Sequence, residues 1–365
     1  MKKERVAVAM SGGVDSSVSA LLLKKQDYDA HGFFMKFWSE PACGKDLENS
    51  YCDSESLEKA RKIADKIGIP FHVIDAQKIF KKTVVNYFID GYKNLETPNP
   101  CVICNQFVKF GWFLDFAEKL GFPKIATGHY VRIKKDNDKI HHLLQGKDET
   151  KDQSYFLCRL NQSQLSKIIF PVGNMTKIEV KKIAEKNNLS FKDKKESQEI
   201  CFIKDGSYQE FLKRQLPKKY FCPGNILDTK NKKIGEHQGL LNYTIGQRKG
   251  IEPRGIKNEN RRPSYVIKLE KKGNNLIVGE GKEILRKSMK IKNISWISKE
   301  ARKKALLKVK IRYRSAPVSC RIKFSRKNKG EAEVEFIKPQ RAITPGQFAV
   351  FYSAKEVLGS GVIFS

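Results

Sequence analysis

A short segment rich in glycine and serine near the N-terminus limits the fold more than any other part of this sequence. The apolar run at residues 6–10 predicts a buried parallel strand, and residues 18–25 predict the helix that follows it. Between them stands Ser-Gly-Gly-Val-Asp-Ser-Ser, residues 11–17. Glycines let the backbone approach an anion closely, and a helix N-terminus offers unpaired N–H groups and a positive dipole end. The segment is therefore typical of a phosphate-binding loop in an α/β fold.

This loop differs from the two commonest phosphate-binding motifs. No lysine stands before Ser16 or Ser17, which excludes the Walker motif, and the glycines do not match G-x-G-x-x-G. The segment resembles instead the PP-loop of the N-type ATP pyrophosphatases, which split ATP into AMP and pyrophosphate and adenylate a substrate oxygen. The alternative explanation is a glycine-rich turn with a capping serine and no ligand. The loop alone does not identify the substrate.

Alternating strand and helix patterns continue beyond the loop. Apolar runs at 30–35 and 71–74 predict two further buried strands, and amphipathic patterns at 57–67 and 78–92 predict helices. Strands and helices that alternate with short links predict a Rossmann-like, doubly wound parallel sheet. Ligands of such sheets bind beyond the carboxyl ends of the strands, where the first loop already lies.

The pattern changes near residue 205, where turn clusters and short strands replace the long helices. In the segment 307–314 apolar residues alternate with Lys308, Lys310, Arg312 and Arg314, which predicts a strand with one apolar and one basic face. Several short alternating segments of this kind predict a small β-barrel. We therefore expect three domains: a catalytic domain at 1–205, a small, mainly β central domain at 206–280, and a C-terminal β-barrel at 281–365.

The net charge of +31, from 71 basic and 40 acidic residues, predicts a polyanionic partner bound through release of counterions. A generally lysine-rich proteome is the alternative explanation. No apolar run approaches the roughly 20 residues of a membrane span. The apolar strand after the first lysines is also too short for a signal peptide. We expect a cytoplasmic protein without a membrane partner.

The eight cysteines do not form a disulfide scaffold in a chain of this length. Cys101 and Cys104 form a C-x-x-C motif in a stiff, proline-rich loop, with a helix expected from about residue 106. A thiol just before a helix gains thiolate character from the helix dipole, so we expect a lowered pKa for Cys104. Cys201, between apolar neighbours, would by itself be assigned to a strand core. No second pair stands at zinc-ribbon spacing, and we expect no metal-ligating residues of that kind.

Five motifs occur in one order along the chain: SGGVDSS, TPNPCVICN (97–105), ATGHY (126–130), KDQSYFL (151–157) and SQEICFI (197–203). With GEHQG, TIGQRKG and TPGQ further on, the chain resembles the bacterial tRNA-specific 2-thiouridylases over essentially its whole length. This resemblance implies a reaction at the wobble uridine (U34) in the anticodon stem-loop of tRNA. ATP, with Mg²⁺, adenylates the uracil C2 oxygen. Sulfur from a cysteine persulfide then replaces AMP, which gives 2-thiouridine, AMP and pyrophosphate.

The same resemblance assigns roles to single residues. Cys104 matches the first catalytic cysteine and Cys201 the cysteine that carries the persulfide, while Asp15 is a candidate to hold magnesium or to orient water. The implied ATP site comprises Ala9, Met10, Ser11, Gly12, Gly13, Val14, Asp15, Ser16, Met35 and Gly128. The implied tRNA contacts are His129, Lys151, Asp152, Gln153, Arg312, Tyr313 and Gln347, with Asn99, Pro100 and Cys101 around the target base. Many relatives carry aspartate where this chain has Cys101, which leaves the role of that residue open.

An external donor, either a cysteine desulfurase or a relay protein, would supply the persulfide. The sequence leaves open whether the persulfide attacks directly, which forms a Cys104–Cys201 disulfide, or whether Cys104 first releases free sulfide. Three alternatives also stay open at this point. They are an amide-forming ATP pyrophosphatase, an RNA-binding sulfur carrier that does not turn over ATP, and a tRNA thiolase whose three cysteines hold an iron–sulfur cluster.

Overall fold

The computed structural model describes residues 3–38, 54–189, 200–203, 207–251, 264–298 and 307–365. Ser197, Gln198 and Glu199 of the SQEICFI motif lie outside the described residues. The described strands form three sheets, of five, four and eight strands. Within the described ranges no helix is long and apolar enough to cross a membrane.

The N-terminal elements begin with a strict alternation of strand and helix. They are β1 (Arg5–Ala9), α1 (Val14–Lys25), β2 (Asp29–Lys36), α2 (Ser54–Ile67) and β3 (Phe71–Asp75). Two long helical stretches follow, each widened by a π-helical section. The first comprises α3 (Gln77–Phe80), Lys81–Val85 and α4 (Asn86–Lys93), and the second comprises α5 (Pro100–Ile103), Cys104–Trp112 and α6 (Phe113–Lys119). The remaining elements are β4 (Lys124–Ala126), β5 (Val131–Lys135), β6 (His141–Gln145), α7 (Gln162–Leu165), β7 (Ile168–Ile169), α8 (Lys177–Lys186) and α9 (Tyr208–Gln215).

The first sheet has the order β3-β2-β1-β4-β7, and its strands are parallel. Successive residues of β1 belong to different cores, because Val6 and Val8 pack with α1, α2 and α8 while Ala7 packs with the helices between α3 and α6. Both faces of the sheet are therefore covered, as expected for parallel strands. The predicted doubly wound sheet is confirmed.

The central part forms a four-stranded sheet in the order β10-β11-β8-β9. Its strands are β8 (Gly224–Leu227), β9 (Lys233–His237), β10 (Tyr265–Glu270) and β11 (Asn275–Gly279). Ile226, Val266, Leu276 and Val278 form its small core.

The C-terminal strands close into a barrel, as the sequence predicts. They are β12 (Leu285–Trp296), β13 (Leu307–Lys310), β14 (Val318–Phe324), β15 (Ala332–Arg341), β16 (Phe348–Ser353) and β17 (Glu356–Ile363). The strand order is β12-β15-β14-β13-β16-β17, and the pairing of β12 with β17 closes the ring. One detail of the prediction is wrong. β13 ends at Lys310 because the next residues form a turn, in which Ser315 N–H donates to the Arg312 carbonyl at 3.1 Å.

The hairpin of β5 and β6 belongs to the N-terminal part of the chain but extends the sheet of the barrel. Strand β6 pairs with β17, with Leu143 opposite Val357 and Leu144 opposite Glu356. The side chain of His142 lies between two carboxylates, 2.7 Å from Glu356 and 2.9 Å from Asp136. The two parts of the chain are thus joined by a continuous eight-stranded sheet, which the sequence pattern did not predict.

Candidate active site

The loop predicted to bind phosphate connects β1 to α1, and its own hydroxyls shape it. Gly13 is the N-cap of α1, and no described side chain caps the helix there. Ser16 Oγ donates to the Gly13 carbonyl at 3.0 Å and accepts the backbone N–H of Ser11 at 3.2 Å. These two hydrogen bonds of the Ser16 hydroxyl close the loop. The positive, N-terminal end of the α1 dipole points into the loop. In the alternative explanation, a turn without a ligand, a serine side chain would cap α1. Among the described residues no side chain does so.

Two glycines are required by close approaches of the backbone to this loop. Gly12 has a φ of +74°, and a Cβ there would lie 2.5 Å from the Ser56 carbonyl oxygen. A Cβ on Gly128 would lie 2.6 Å from the backbone nitrogen of Ser16 and 2.7 Å from the carbonyl carbon of Asp15. A side chain at Gly128 would displace the first turn of α1, and one at Gly12 would collide with the backbone of α2. Both glycines are thus explained by the geometry of the loop.

The structure brings the predicted ATP-site residues together at one edge of the parallel sheet. Ala9 is the last residue of β1, and Met35 is the last but one of its neighbour β2. Gly128 follows β4, the other neighbour of β1. The rest of the predicted set lies in the loop and the first turn of α1: Met10, Ser11, Gly12, Gly13, Val14, Asp15 and Ser16.

A lysine that the sequence analysis missed reaches this loop from α8. Lys177 Nζ lies 2.8 and 2.7 Å from the two carboxylate oxygens of Asp15, and the Tyr130 hydroxyl donates to the same carboxylate at 2.7 Å. Only 13% of the Lys177 side chain is exposed. The sequence gives no signal for this pair, because 162 residues separate its members.

The helix that carries the C-x-x-C motif begins earlier than predicted, at Pro100. Asn99 Oδ1 accepts the N–H of Val102 at 3.3 Å as the N-cap, and proline is favoured at the first helical position. Cys101 therefore lies in the first turn and is exposed, whereas Cys104 lies one turn later and is 7% exposed. Burial raises the pKa of the Cys104 thiol to about 11. The predicted lowering of the Cys104 pKa by a helix N-terminus is wrong, because the helix has already begun and the thiol lies in the core.

Cys201 lies at the surface on a short turn, in which Ile203 N–H donates to the Ile200 carbonyl at 2.9 Å. The next side chain, Phe202, is buried against the helical core, with its ring centroid 5.8 Å from Phe80 and 5.4 Å from Phe88. Assignment to a strand core, which Cys201 would receive from its neighbours alone, is wrong. Cys104 and Phe202 belong to the same hydrophobic core, so one core supports both cysteine segments.

Both β-rich parts of the chain contact the segment just before the C-x-x-C motif. Thr97 N–H donates to the Pro345 carbonyl at 2.8 Å, and Gln347 Nε2 donates to the Thr97 carbonyl at 2.7 Å. On its other side, the Thr97 hydroxyl donates to the hydroxyl of Thr244 at 3.4 Å. Gly346 has a φ of +88° and would bring a Cβ within 3.0 Å of Thr97. The barrel and the central sheet thus meet on the loop predicted to hold the target base.

Two of the predicted tRNA contacts are bonded within the protein. The Arg312 guanidinium donates to the Ile245 carbonyl at 2.9 Å and to the Ala342 carbonyl at 3.1 Å, and it joins the central part to the barrel. Burial lowers the pKa of this guanidinium. The Asp152 carboxylate is buried and accepts from Gly146 N–H at 3.1 Å and from Ser154 Oγ at 2.8 Å. Both side chains are thus engaged in internal hydrogen bonds, and their assignment as tRNA contacts stays a prediction.

Five further predicted tRNA contacts outside the C-x-x-C segment are half-buried. His129 Nδ1 lies 2.7 Å from the Thr127 hydroxyl, and burial lowers the pKa of this imidazole well below its usual range. Gln153 Oε1 accepts the N–H of Tyr130 at 3.0 Å, and the Tyr313 ring centroid lies 4.5 Å from that of Phe156. Lys151 and Gln347 complete this half-buried group.

Comparison with known proteins places the chain in a family. Three domain families match consecutive parts: the tRNA methyl transferase HUP domain over 4–205, the tRNA methyl transferase PRC-barrel domain over 209–280, and the aminomethyltransferase beta-barrel domain over 286–363. The chain is 44% identical over 362 residues to the tRNA-specific 2-thiouridylase MnmA 1 of Caldanaerobacter subterraneus subsp. tengcongensis, covering 98% of this chain and 97% of that protein. The chain belongs to the tRNA-specific 2-thiouridylase family.

Two more 2-thiouridylases show a similar match. The protein of Limosilactobacillus reuteri is 43% identical over 367 residues, which covers 98% of this chain and 95% of the relative. The protein of Geobacter metallireducens is 41% identical over 366 residues, which covers 99% and 97%. The match to these 2-thiouridylases therefore extends through the catalytic part, the central sheet and the barrel.

A further buried polar residue stands directly beside Cys104 in this 2-thiouridylase. Asn105 is 3% exposed, and its Nδ2 donates to the Phe156 carbonyl at 3.2 Å. Its Oδ1 is buried and has no hydrogen-bond partner among the described residues. Together with the contact between the Phe156 and Tyr313 rings, this bond connects the Cys104 helix to KDQSYFL and to the barrel. This asparagine ends the TPNPCVICN motif, and its sequence position alone indicates no role for it.

Proposed function

We propose that this protein is an ATP-dependent tRNA-uridine 2-sulfurtransferase that converts U34 of tRNA to 2-thiouridine. The observation that carries this proposal is the identity of 41–44% to named 2-thiouridylases along almost the whole chain. The geometry supports it, because one chain combines a phosphate-binding loop, two cysteine segments that pack on the same core, and two β-rich parts. An amide-forming synthetase needs neither the cysteines nor the β-rich parts.

The phosphate loop fits the activating half of the reaction. The uracil C2 carbonyl is a poor electrophile because oxide is a poor leaving group. Attack of this oxygen on the α-phosphorus of ATP expels pyrophosphate and leaves AMP as a good leaving group on C2. We propose that the loop amides and the Ser11 and Ser16 hydroxyls bind the phosphates, as at other helix N-termini. Gly128 allows the approach because it has no side chain.

The donors at this loop also fit Mg²⁺. Mg²⁺ on a nucleotide takes phosphate oxygens, waters and one or two carboxylates rather than a cage of protein ligands. Among the described residues no three acidic, histidine or cysteine side chains form such a cage, whereas Asp15 carries a carboxylate on the first turn of α1. Asp15 would hold the ion, which would neutralise the charge that develops on the phosphates.

The two cysteines fit the sulfur-transfer half. We propose that a cysteine desulfurase or relay protein forms a persulfide on Cys201, which lies at the surface. The terminal sulfur attacks C2 and AMP leaves. The Cys104 thiolate then attacks Cys201 Sγ, which breaks the persulfide bond, leaves the sulfur on C2 and forms a Cys104–Cys201 disulfide. An external thiol reduces this disulfide before the next turnover.

In this structure the Cys104 thiol is not in a state to attack Cys201 Sγ. Its thiol is buried and has a pKa of about 11, so it is protonated at neutral pH. We propose that tRNA binding moves the Thr97 loop and the start of α5, which exposes Cys104. The contacts of Thr97 with Gln347 and Thr244 support this coupling, since both accessory parts would sense the bound RNA.

We also propose that the three domains divide at 205/206 and 280/281 and that the enzyme works in the cytoplasm, where its tRNA is found. The deciding experiment combines the protein, ATP, Mg²⁺, a persulfide donor and a tRNA transcript. We expect 2-thiouridine and pyrophosphate in equal amounts with U34 and neither product with C34. Thiolation that requires added iron and sulfide would favour the iron–sulfur alternative. RNA binding without pyrophosphate release would favour the sulfur carrier.

A further inference from the structure

The phosphate loop contains no cation of its own. Residues 9–17 include neither lysine nor arginine, and their only charge is the carboxylate of Asp15. A triphosphate is strongly anionic, and a lone carboxylate on the first turn of α1 would repel it. The structure resolves this conflict, because Lys177 places its ammonium group on that carboxylate, within 2.8 Å of both oxygens.

The backbone of Lys177 is held so that its side chain points at the loop. Its N–H donates to Asp148 Oδ2 at 2.9 Å, and Thr176 caps the helix with its hydroxyl on the N–H of Glu179 at 3.2 Å. The side chain runs past the Tyr130 ring, with Nζ 5.8 Å from the centroid. A surface lysine would be mobile and hydrated, whereas this one is largely buried and directed to a single point.

We propose that Lys177 is a ligand of the nucleotide phosphates in this enzyme, and that the Asp15 carboxylate holds it in place until the nucleotide binds. This inference rests on the proposed ATP-dependent function. The lysine thus takes the part that a Walker loop gives to its own lysine, but it comes from α8. With Asp15 bound to Mg²⁺, the ammonium group would be free to contact the phosphates.

A merely structural role for Lys177 makes a different prediction. If the lysine only neutralises Asp15, Lys177→Gln has no further effect once Asp15→Asn has removed the carboxylate. If the lysine contacts phosphate, Lys177→Gln weakens binding further in the Asp15→Asn background, because the missing contact is not replaced. The double-mutant comparison therefore separates the two roles.

The experiment measures binding of the non-hydrolysable analogue α,β-methylene-ATP with Mg²⁺ by calorimetry, without tRNA. We expect Lys177→Gln to weaken binding by about tenfold or more, the factor for one lost hydrogen bond to a charged group. We expect the Asp15→Asn/Lys177→Gln double variant to bind about tenfold more weakly than Asp15→Asn alone. Lys182→Gln removes the same charge from an exposed position on α8 and should bind like the unsubstituted protein. Normal binding by Lys177→Gln, or equal binding by Asp15→Asn and the double variant, would overturn the proposal.

A second measurement does not depend on the folding of the lysine variant. In Asp15→Asn, reductive methylation read by mass spectrometry should label Lys177, and the analogue should suppress that label without affecting Lys182. Equal labelling with and without the analogue would contradict the contact. If the unsubstituted protein binds no analogue at all, the ATP-dependent function itself fails, which is a separate outcome from failure of the lysine assignment.

Discussion

Gln347 Nε2 donates to the carbonyl oxygen of Thr97 at 2.7 Å, although 250 residues separate them in the sequence. This bond connects a turn of the barrel to the loop that leads into the C-x-x-C motif. A Cβ on Gly346 would lie 3.0 Å from Thr97, so the backbones of the turn and the loop are in close contact as well. The barrel can therefore influence the position of the cysteine helix without contacting either cysteine.

We predict that Gln347→Ala slows tRNA thiolation while leaving binding of α,β-methylene-ATP unchanged. The loop loses one hydrogen bond, which contributes about 1 kcal/mol to the free energy of unfolding. The measurement is the rate of 2-thiouridine formation at saturating ATP, alongside thermal unfolding. Gln340→Ala is the matched control, because Gln340 lies on the barrel and donates to the nearby Lys338 and Pro339 carbonyls. Equal rates for the two variants would contradict a role for the Thr97 contact.

Arg312 should matter for stability more than for RNA. Its guanidinium bridges the Ile245 and Ala342 carbonyls, so Arg312→Gln removes hydrogen bonds that join the central part to the barrel. Hydrogen bonds to charged groups contribute about 1.5–3 kcal/mol each, and we expect the free energy of unfolding to fall by at least that much. Arg314→Gln, two residues away at an exposed position, should change it by less than about 0.5 kcal/mol. Denaturant unfolding of both variants checks this, and equal stabilities would show that the Arg312 bridge contributes nothing.

The basic side chains of β13 and of the turn after it can then be tested without Arg312. We predict that Lys308→Gln, Lys310→Gln and Arg314→Gln together weaken tRNA binding and flatten its salt dependence. Each phosphate contact adds about 0.9 to the slope of log affinity against log salt, if the duplex DNA value transfers to tRNA. The control removes three charges from α8 instead, at Lys181, Lys182 and Lys186. An unchanged slope in the β13 variant would make that face merely solvated.

The link between the β5–β6 hairpin and the barrel should depend on pH through His142. Hydrogen bonds that the ring donates to the Glu356 and Asp136 carboxylates raise the pKa of this imidazole above its usual range. Because the folded pKa is above the unfolded value of about 6.5, the stabilisation is fully present below pH ~6.5 and is lost as pH rises through the folded pKa. We predict that the stability difference between the unsubstituted protein and His142→Gln is largest near pH 6 and shrinks toward pH 9.

Denaturant unfolding at several pH values measures that difference. His141→Gln is the control, since burial lowers the pKa of His141 and its contribution has the opposite sign. A stability difference for His142→Gln that does not change with pH would mean that its ion pairs are too exposed to contribute.

The sequence predicted the parts of this molecule that depend on local pattern. The five-residue apolar run and the glycines after it located β1 and the phosphate loop. A buried strand requires consecutive apolar residues, and a close backbone approach requires glycine. The alternation around Leu307 and Val309 likewise located a barrel strand. The fold class followed from such patterns.

No local sequence pattern indicates a contact between distant segments. The pairing of Lys177 with Asp15 and the bridge of Arg312 depend on which elements pack together, and any surface lysine or arginine would have looked the same. The predicted start of the Cys104 helix is wrong for a different reason. Prolines disfavour helix interiors and so predict an extended loop here, whereas Pro100 occupies the first helical position behind an asparagine cap.

The position of Cys104 leads to the last prediction. A thiol that is 7% exposed with a pKa of about 11 should react slowly with a disulfide reagent, while Cys201 at the surface should react fast. We predict that adding tRNA and α,β-methylene-ATP speeds labelling of Cys104, measured by mass mapping of alkylated peptides. Cys158, which is 1% exposed, is the control and should stay unlabelled throughout.

Cys104→Ser and Cys201→Ser should abolish thiolation, and Cys101→Ser should keep it. If Cys104 stays unreactive with tRNA bound, or if Cys101→Ser is inactive and Cys104→Ser active, Cys101 is the thiol that attacks the persulfide. If all three variants are inactive and the protein purified without oxygen contains iron, the cysteines hold a cluster instead.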